Sequence, residues 1–392
     1  MSSDEKALSF CFLTEILLAS IIGMATVLKM PSIVSPLFYI SILVPGIFVF
    51  RYLKAFPRVL LPLVACCIVN VSINGMLYDG MMNFDYYKKV IMFLVFMVLI
   101  YYSIELKCCR KILIDLLEVF PIIAGIMFVI AYYYLGNTST WGGGLSLGFS
   151  NPNTAGMWLL HLILYGILFL LDSSKGWMRF LYVPVIVAML PMLELTRTRS
   201  CYVALVFFAI MLVLRVFRIK ANKVLCLVIT VLPIVYAIVY LNVVNTDWFQ
   251  TKFSFMASEG KTLNSRVGVW NGAFESIKEH FVVGNYCGIS NGTGQSQLHN
   301  THVDVLASYG VVPFLVFLKI IYDTITTSVR NANSFYKYAA ISAFCAVLIM
   351  GTFEAAMVAG SMGLNLLTVG LIVLANSDRI KREEYILGGQ TI

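Results

Sequence analysis

The sequence predicts an all-α polytopic membrane protein of about twelve transmembrane helices, and three observations carry that reading. Of 392 residues, 60% are hydrophobic and only 12% charged, against roughly 45–50% and about 25% in an ordinary soluble domain. Apolar windows of about 20 residues, the length that crosses a roughly 30 Å hydrocarbon layer as a helix, recur through nearly the whole chain. These windows do not alternate polar and apolar residues, as strands of a membrane barrel would, so helices that satisfy their own backbone are the remaining way across. A soluble globule is excluded.

The windows fall near 8–28, 33–50, 59–77, 90–106, 112–135, 153–171, 180–195, 200–217, 223–243, 303–323, 336–356 and 361–376. The first lacks a small-residue cleavage signal and reads as a retained span, with no signal peptide. An even number of spans puts both termini on one side, and the basic residues say which side. Nineteen Lys and Arg fall on the face of the termini, among them Arg51, Arg110, Lys175, Arg215, Lys223, Arg330 and Lys337, and nine fall on the other. By the positive-inside rule the first face is cytoplasmic. The net charge of +8 is thereby a matter of topology, and no nucleic-acid partner is expected. The nine cysteines never form a CxxC pair, so neither a zinc site nor a disulfide framework is indicated.

The chain divides into helices one to nine over 1–243, a large extracytoplasmic loop over 244–302, and helices ten to twelve with a cytoplasmic tail over 303–392. A loop that long is usually functional or disordered, and this one has structure written into it. After Ser265 as N-cap, Val267, Trp270, Phe274, Ile277 and Phe281 follow at spacings of 3 and 4, with Asn271, Glu275, Lys278 and Glu279 opposite. That is an amphipathic helix lying on the bundle or in the outer interface. Gly284, Gly288, Gly292 and Gly294 then break up a polar stretch that ends in Gln295-Ser296-Gln297 and leads into Leu298-His299-Asn300-Thr301-His302.

Arg197 and Arg199 occupy a very short outer turn, against the charge bias of the cytoplasmic loops. Snorkelling to headgroups is one reading; the other is anion binding, because guanidinium forks match phosphate oxygens bidentately. Arg266 stands in the first turn of the amphipathic helix, where the helix dipole offers a cation nothing; it is either a simple surface arginine or one that faces a ligand phosphate, which makes better sense of its place. His161 lies in an apolar run as a satisfied bundle residue, and His280 is solvated. His299 and His302 are three apart and share a face if the helix begins that early; a metal pair would need a third ligand, and none has suitable spacing. A general base at the membrane surface is the stronger reading for His299. Glu194, Asp304 and Glu354 stand near the outer ends of their spans, with Asp115 and Glu118 toward the cytoplasm, and acids at such depth are functional candidates. Pairing with Arg197 or Arg199 is the simplest reading of Glu194.

Three stretches together resemble the O-antigen ligase/polymerase family of bacterial membrane glycosyltransferases: Leu147-Gly148-Phe149-Ser150-Asn151-Pro152-Asn153, the arginine turn Thr196 to Ser200, and the outer block from Ser265-Arg266 through Trp270 and Gly284 to His299-Asn300. The family's loop signature runs His, then Asn, Ser or Gln, nine residues, Gly, two residues, and Gly, Thr or Tyr. Here His299-Asn300 is followed by nine residues and then Gly310, and the closing position is Pro313. The family's arginine turn commonly carries Leu four residues after Arg; here Val203 follows Arg199 at that spacing.

The resemblance implies transfer of a glycan from an undecaprenyl-diphosphate-linked donor to an acceptor, with inversion, on the outer face of a bacterial cytoplasmic membrane. It implies no cofactor and no metal. Arg197, Arg199 and Arg266 are then assigned to the diphosphate and His299 to the acceptor hydroxyl, with Asn300 and Asn153 in support. The residues agree with this: an isoprenoid needs apolar grooves and membrane lipid around it, a diphosphate needs interfacial arginines, and donors aimed at the leaving group stabilise its growing charge. Within the family the Gly-Phe-Ser-Asn-Pro-Asn stretch looks like those of O-antigen and capsule polymerases, for which a chain-length regulator is a further partner. The alternatives are a ligase that moves the glycan to lipid A core or another acceptor, and a transporter or flippase of lipid-linked sugars. Transporters tend toward paired broken helices, internal repeats and ionisable groups at the midplane, which this sequence does not show.

Overall fold

The computed structural model describes residues 3–52, 57–77, 84–217, 222–244, 246–249, 264–286, 298–355, 357 and 362–380. It is an all-α polytopic bundle. Helices α1 (Ser3–Val27), α2 (Pro31–Tyr52), α3 (Leu61–Leu77), α4 (Phe84–Ser103) and α5 (Lys111–Tyr133) follow in order, then α6 (Pro152–Leu171), α7 (Val183–Thr196), α8 (Arg199–Val216) and α9 (Lys223–Val244). Past the outer segment come α10 (Asn264–Glu279), α11 (Thr301–Tyr309), α12 (Val311–Asn331), α13 (Phe335–Met350) and α14 (Met362–Asn376). Among the described residues, ten helices are long and apolar enough to cross a membrane, and α13 and α14 are shorter apolar helices. Eleven of the twelve expected windows each coincide with one helix, their ends displaced by up to six residues, and the tenth does not.

The two short helices form the centre. Every residue of α14 is buried, as is α13 from Lys337 to Met350. At 1.5 Å per residue they rise about 22–24 Å, less than the hydrocarbon thickness. Because protein surrounds them, the irregular backbone after Met350 is sheltered from lipid, the condition under which non-helical chain is tolerated at such depth. Helix α1 packs on α2, α5 and α14, and α13 packs on α8 and α14. Small residues make room for large ones: a Cβ on Gly23 or on Gly363 would stand 2.6 Å from the Trp158 ring, so the indole of α6 is clasped between two helices that only glycine allows this close.

At one end of the bundle β1 (Cys108–Arg110) pairs in parallel with β4 (Asp378–Ile380). The loop after four crossings and the chain after twelve therefore meet at the same end, as an even count at both points requires. At that end Lys175 Nζ lies 2.6 Å from Asp115, 3.2 Å from Glu118 and 3.7 Å from Asp172, and Tyr336 donates to Glu118.

The expected tenth window is interrupted. The chain forms α11, breaks at Gly310, and restarts as α12. Gly310 has φ +88°, and a Cβ there would run into the Val282 carbonyl; a Cβ on Gly284, φ +75°, would lie 2.6 Å from Ser308 O and Tyr309 N. Backbone is laid on backbone, and hydrogen bonds seal it: Asn285 N to Ala307 O at 2.9 Å, Val311 N to Phe281 O at 2.9 Å. Asn70 of α3 donates to both Val283 O and Ser308 O and is held by Tyr86. Gly310 is thus needed for its missing side chain and left-handed backbone. Pro313 falls in the first turn of α12, where its missing N–H leaves no helix bond unmade, so the departure at this position of the motif disturbs nothing nearby.

Candidate functional site

Helix α10 realises the expected amphipathic helix and lies on the bundle, against α9 and α11. Trp270, Ala273 and Ile277 are buried, and Trp270 Nε1 donates to Leu298 O at 2.6 Å. The indole also meets the rings of Tyr236 and Tyr240 edge-on. Phe281 lies beyond the helix and is exposed. The anchored face fixes the first turn of α10, and with it Arg266. Gly288, Gly292, Gly294 and Gln295 to Gln297 lie outside the described residues, as does the side chain of Ser265.

Four elements converge on one carboxylate. Glu354, in the sheltered turn after α13, is 4% exposed. Its Oε1 accepts from Arg266 Nη2 at 2.8 Å and from Asn153 Nδ2 at 3.0 Å, and its Oε2 lies 3.1 Å from His299 Nδ1. Asn153 is placed by the N-terminus of α6, where Asn151 caps the helix by accepting from Thr154 N and Pro152 supplies its first residue. His299 is placed by Asn300, whose Oδ1 accepts from His302 N and Val303 N while its Nδ2 donates to Pro233 O and Thr352 O. Asn300 is wholly buried. It is therefore the N-cap that fixes the start of α11, and it presents His299 without facing the site itself.

His299 and His302 do not share a helix face. The helix begins at Thr301, and His299 precedes it with φ +51°, a left-handed backbone that non-glycine residues rarely adopt. His302 turns inward: it is fully buried, its Nε2 lies 2.7 Å from Thr230 O, and its ring meets Phe314 and Phe317 edge-on. The two rings are thus held by different partners, and the pairing that spacing alone raised does not form. His161, in α6, is buried with both ring nitrogens engaged, by Met157 O and Thr368 Oγ1.

His299 lines a cavity of about 490 Å³ together with Trp141, Ser150, Asn153, Thr196 and Arg197, within the roughly 300–1,000 Å³ usual for small-molecule sites. Its roof is the hairpin of β2 (Thr140–Trp141) and β3 (Gly144–Leu145). Arg197 is the C-cap of α7 and, like His299, has a left-handed backbone, φ +58°. Its guanidinium lies against the hairpin, where a Cβ on Gly143 would stand 3.2 Å from Nη1. Strained backbone at two residues of one cavity is an observation that points to function. Trp141 is 64% exposed beside the cavity, a site residue with no signal in the sequence beyond its being aromatic.

Three expectations are revised by this geometry. Arg266 faces Glu354 in a buried ion pair, with its side chain 18% exposed, and so neutralises a carboxylate where an open phosphate contact was expected. Arg199 is exposed in the first turn of α8 and is not among the residues lining the cavity. Glu194 pairs with neither arginine: it accepts from Tyr202 Oη at 2.6 Å, one helix turn into α8. Among the described residues, Asp115, Glu118 and Asp172 have ligand atoms close enough to share a metal, but the Lys175 ammonium sits among them.

The arrangement has a definite chemical capacity. If Nδ1–H donates to Glu354, the lone pair resides on Nε2, so the carboxylate both selects the tautomer and stabilises the ring once it takes a proton. Arg266 and Asn153 saturate the other carboxylate oxygen, as a buried charge requires. Across the cavity, Arg197 supplies a fixed positive charge.

Residues 184–318 match the family model for O-antigen ligase. The match supports assignment of the chain to the O-antigen ligase/polymerase family and takes in Arg197, Arg199, Arg266, His299 and Asn300, while Asn153 and Glu354 fall outside it. No curated protein matches the sequence.

Proposed function

We propose that this O-antigen ligase/polymerase-type membrane enzyme polymerises oligosaccharide repeat units carried on undecaprenyl diphosphate, at the extracytoplasmic face of a bacterial inner membrane. The observation that carries the proposal is the His299–Glu354 pair opening on the cavity that Arg197 lines. The acceptor sugar hydroxyl attacks the anomeric carbon of the donor from the side opposite the diphosphate. The new C–O bond forms as the bond to the diphosphate oxygen breaks, and the anomeric centre inverts. His299 Nε2 takes the hydroxyl proton, and the imidazolium is stabilised by Glu354. Arg197 stands where negative charge accumulates on the leaving diphosphate, so its interaction strengthens toward the transition state. Exposed Trp141 offers the acceptor sugar a flat apolar face beside the reacting hydroxyl.

In this account the charge that a divalent metal would neutralise is met by arginine, and the proton that a cofactor or metal hydroxide would take is taken by histidine. Glu354 and Arg266 position His299 without touching substrate, and Asn153, in the cavity wall, holds Glu354 from the substrate side. Both termini lie in the cytoplasm, by the distribution of basic residues. The polymerase reading rests on the Gly148-Phe149-Ser150-Asn151-Pro152-Asn153 stretch, whose last four residues line the cavity.

The test is the product. The purified full chain is incubated with a synthetic lipid-linked repeat unit as both donor and acceptor, and the lipid-linked material is resolved by size. A ladder of two or more units on one carrier is the expected result. Transfer only to an added acceptor that carries no polyprenyl diphosphate would replace polymerase by ligase. Movement of intact lipid-linked unit across vesicles, with no new glycosidic bond, would overturn both in favour of transport.

A further inference from the structure

At the end of the bundle opposite His299 lies a second, larger cavity of about 750 Å³, between the ends of α8, α9, α12 and α13. Arg199 begins α8 near the first cavity and Arg215 ends it at the second, so the two are separated by about 24 Å of helix. Arg215, Lys223 and Arg330 all line it, and among the described residues no Asp or Glu does. Arg215 and Arg330 are in last turns of their helices, where the dipole favours cations. Lys223 opens α9, where the dipole opposes it, and so calls for another anion. Tyr338 adds an independent mark: it lines the same cavity, is 3% exposed, and its hydroxyl has no hydrogen-bond partner among the described residues. The Arg215 guanidinium stands 5.3 Å from the Tyr338 ring centre.

From this geometry we propose that the cavity is a binding site for the phosphodiester headgroup of an anionic phospholipid. Two guanidinium groups, an ammonium and a buried hydroxyl donor form the set that recognises phosphate oxygens. A membrane lipid fits better than a soluble anion because strongly exposed apolar side chains continue from the same helix ends. Val213, Val216 and Phe217 on α8 and at its end, and Val224 on α9, are 51–72% exposed, and acyl chains can lie along them while the headgroup reaches inward. Basic pockets between membrane helices are a recurrent way of holding acidic lipids. The site is remote from the Glu354 cluster, and the inference stands whether the enzyme proves to be a polymerase or a ligase.

The test uses the full chain in zwitterionic detergent, titrated with phosphatidylglycerol, with phosphatidylcholine of the same acyl chains, or with inorganic phosphate, and read by native mass spectrometry. The wild type is expected to retain one phosphatidylglycerol in preference to phosphatidylcholine. Apparent affinity should fall about five-fold for each charge removed in Arg215→Gln, Lys223→Gln and Arg330→Gln, and retention should be lost in the R215Q/R330Q pair. Tyr338→Phe should weaken retention without touching any charge. Lys223 and Arg330 are exposed, and circular dichroism of their single variants separates lost binding from lost folding. Equal retention of phosphatidylcholine, or undiminished phosphatidylglycerol on folded R215Q/R330Q, would overturn the proposal. Displacement of the lipid by millimolar inorganic phosphate would also do so, by showing a site for soluble anions.

Discussion

Replacing Glu354 by glutamine keeps the shape of the side chain and removes its charge at the point where α6, α10 and the residue before α11 meet. The amide oxygen can still accept from Arg266 or Asn153, now 2.8 and 3.0 Å from Oε1. The amide nitrogen then faces His299 Nδ1, 3.1 Å from the present Oε2, and as a donor it demands the opposite tautomer. The proton moves to Nε2, and the nitrogen serving the acceptor hydroxyl loses its lone pair. The expected loss in turnover is about 10²–10⁴-fold, the range for removing acid–base help, or roughly 3–5 kcal/mol of barrier. Donor binding should change little, since Arg197 is untouched. Stability will also fall, because breaking a buried pair by removing one charge costs about 3–5 kcal/mol, and the 18% exposure of Arg266 places the cost at or below the lower end. The second substitution Arg266→Gln removes the stranded cation, so the double variant should regain stability without regaining activity. The assay is initial rate with a lipid-linked unit, beside donor affinity and thermal unfolding in detergent. Folded Glu354→Gln with activity within about tenfold of wild type would show that the carboxylate does not set the tautomer of His299.

Three further outcomes are expected. His299→Ala should cut turnover by about 10²–10⁴-fold with donor binding retained, whereas His302→Ala, which empties a buried site between Phe314 and Phe317, should lower thermal stability first; a His302 variant that is stable and inactive would contradict the assignment. Arg197→Lys keeps the charge but not the planar fork, and turnover at normal protein level should fall at least about tenfold; near-wild-type activity would return Arg197 to a headgroup anchor. Gly310→Ala should fail to accumulate as folded protein, because its Cβ meets the Val282 carbonyl on a left-handed backbone; a stable, active alanine variant would show that the α11–α12 break is not required.

Hydropathy made the membrane helices legible because each span must satisfy its own backbone over a fixed thickness, a constraint written in consecutive residues. The amphipathic helix was legible for a similar local reason: Trp270 and Ile277 fall on one face, and that face is the buried one. What local pattern could not give is pairing across the bundle. Glu354 stood in the sequence as one of several acids near an outer helix end, and nothing near it announced that it would join residues 55, 88 and 201 positions away. Arg266 was read from the helix dipole alone, and the dipole knows nothing of a carboxylate arriving from another helix. Glu194, near the end of α7, is reached by Tyr202, in the first turn of α8, across the two-residue turn at Arg197, a contact between helices that hydropathy does not register. The break at Gly310 was hidden inside an apolar run, since its cause lies in the backbone of residues 282–284 pressed against it.

The most direct measurement is a structure of the full chain in nanodiscs with undecaprenyl diphosphate and an acceptor oligosaccharide bound. The diphosphate is expected in the cavity between Arg197 and the β2–β3 hairpin, with phosphate oxygens within about 3 Å of the guanidinium. An acceptor hydroxyl should lie at about 2.6–3.2 Å from His299 Nε2 while Nδ1 keeps its bond to Glu354. A diphosphate held elsewhere, or His299 turned from Glu354 with no acceptor oxygen in reach, would contradict this arrangement.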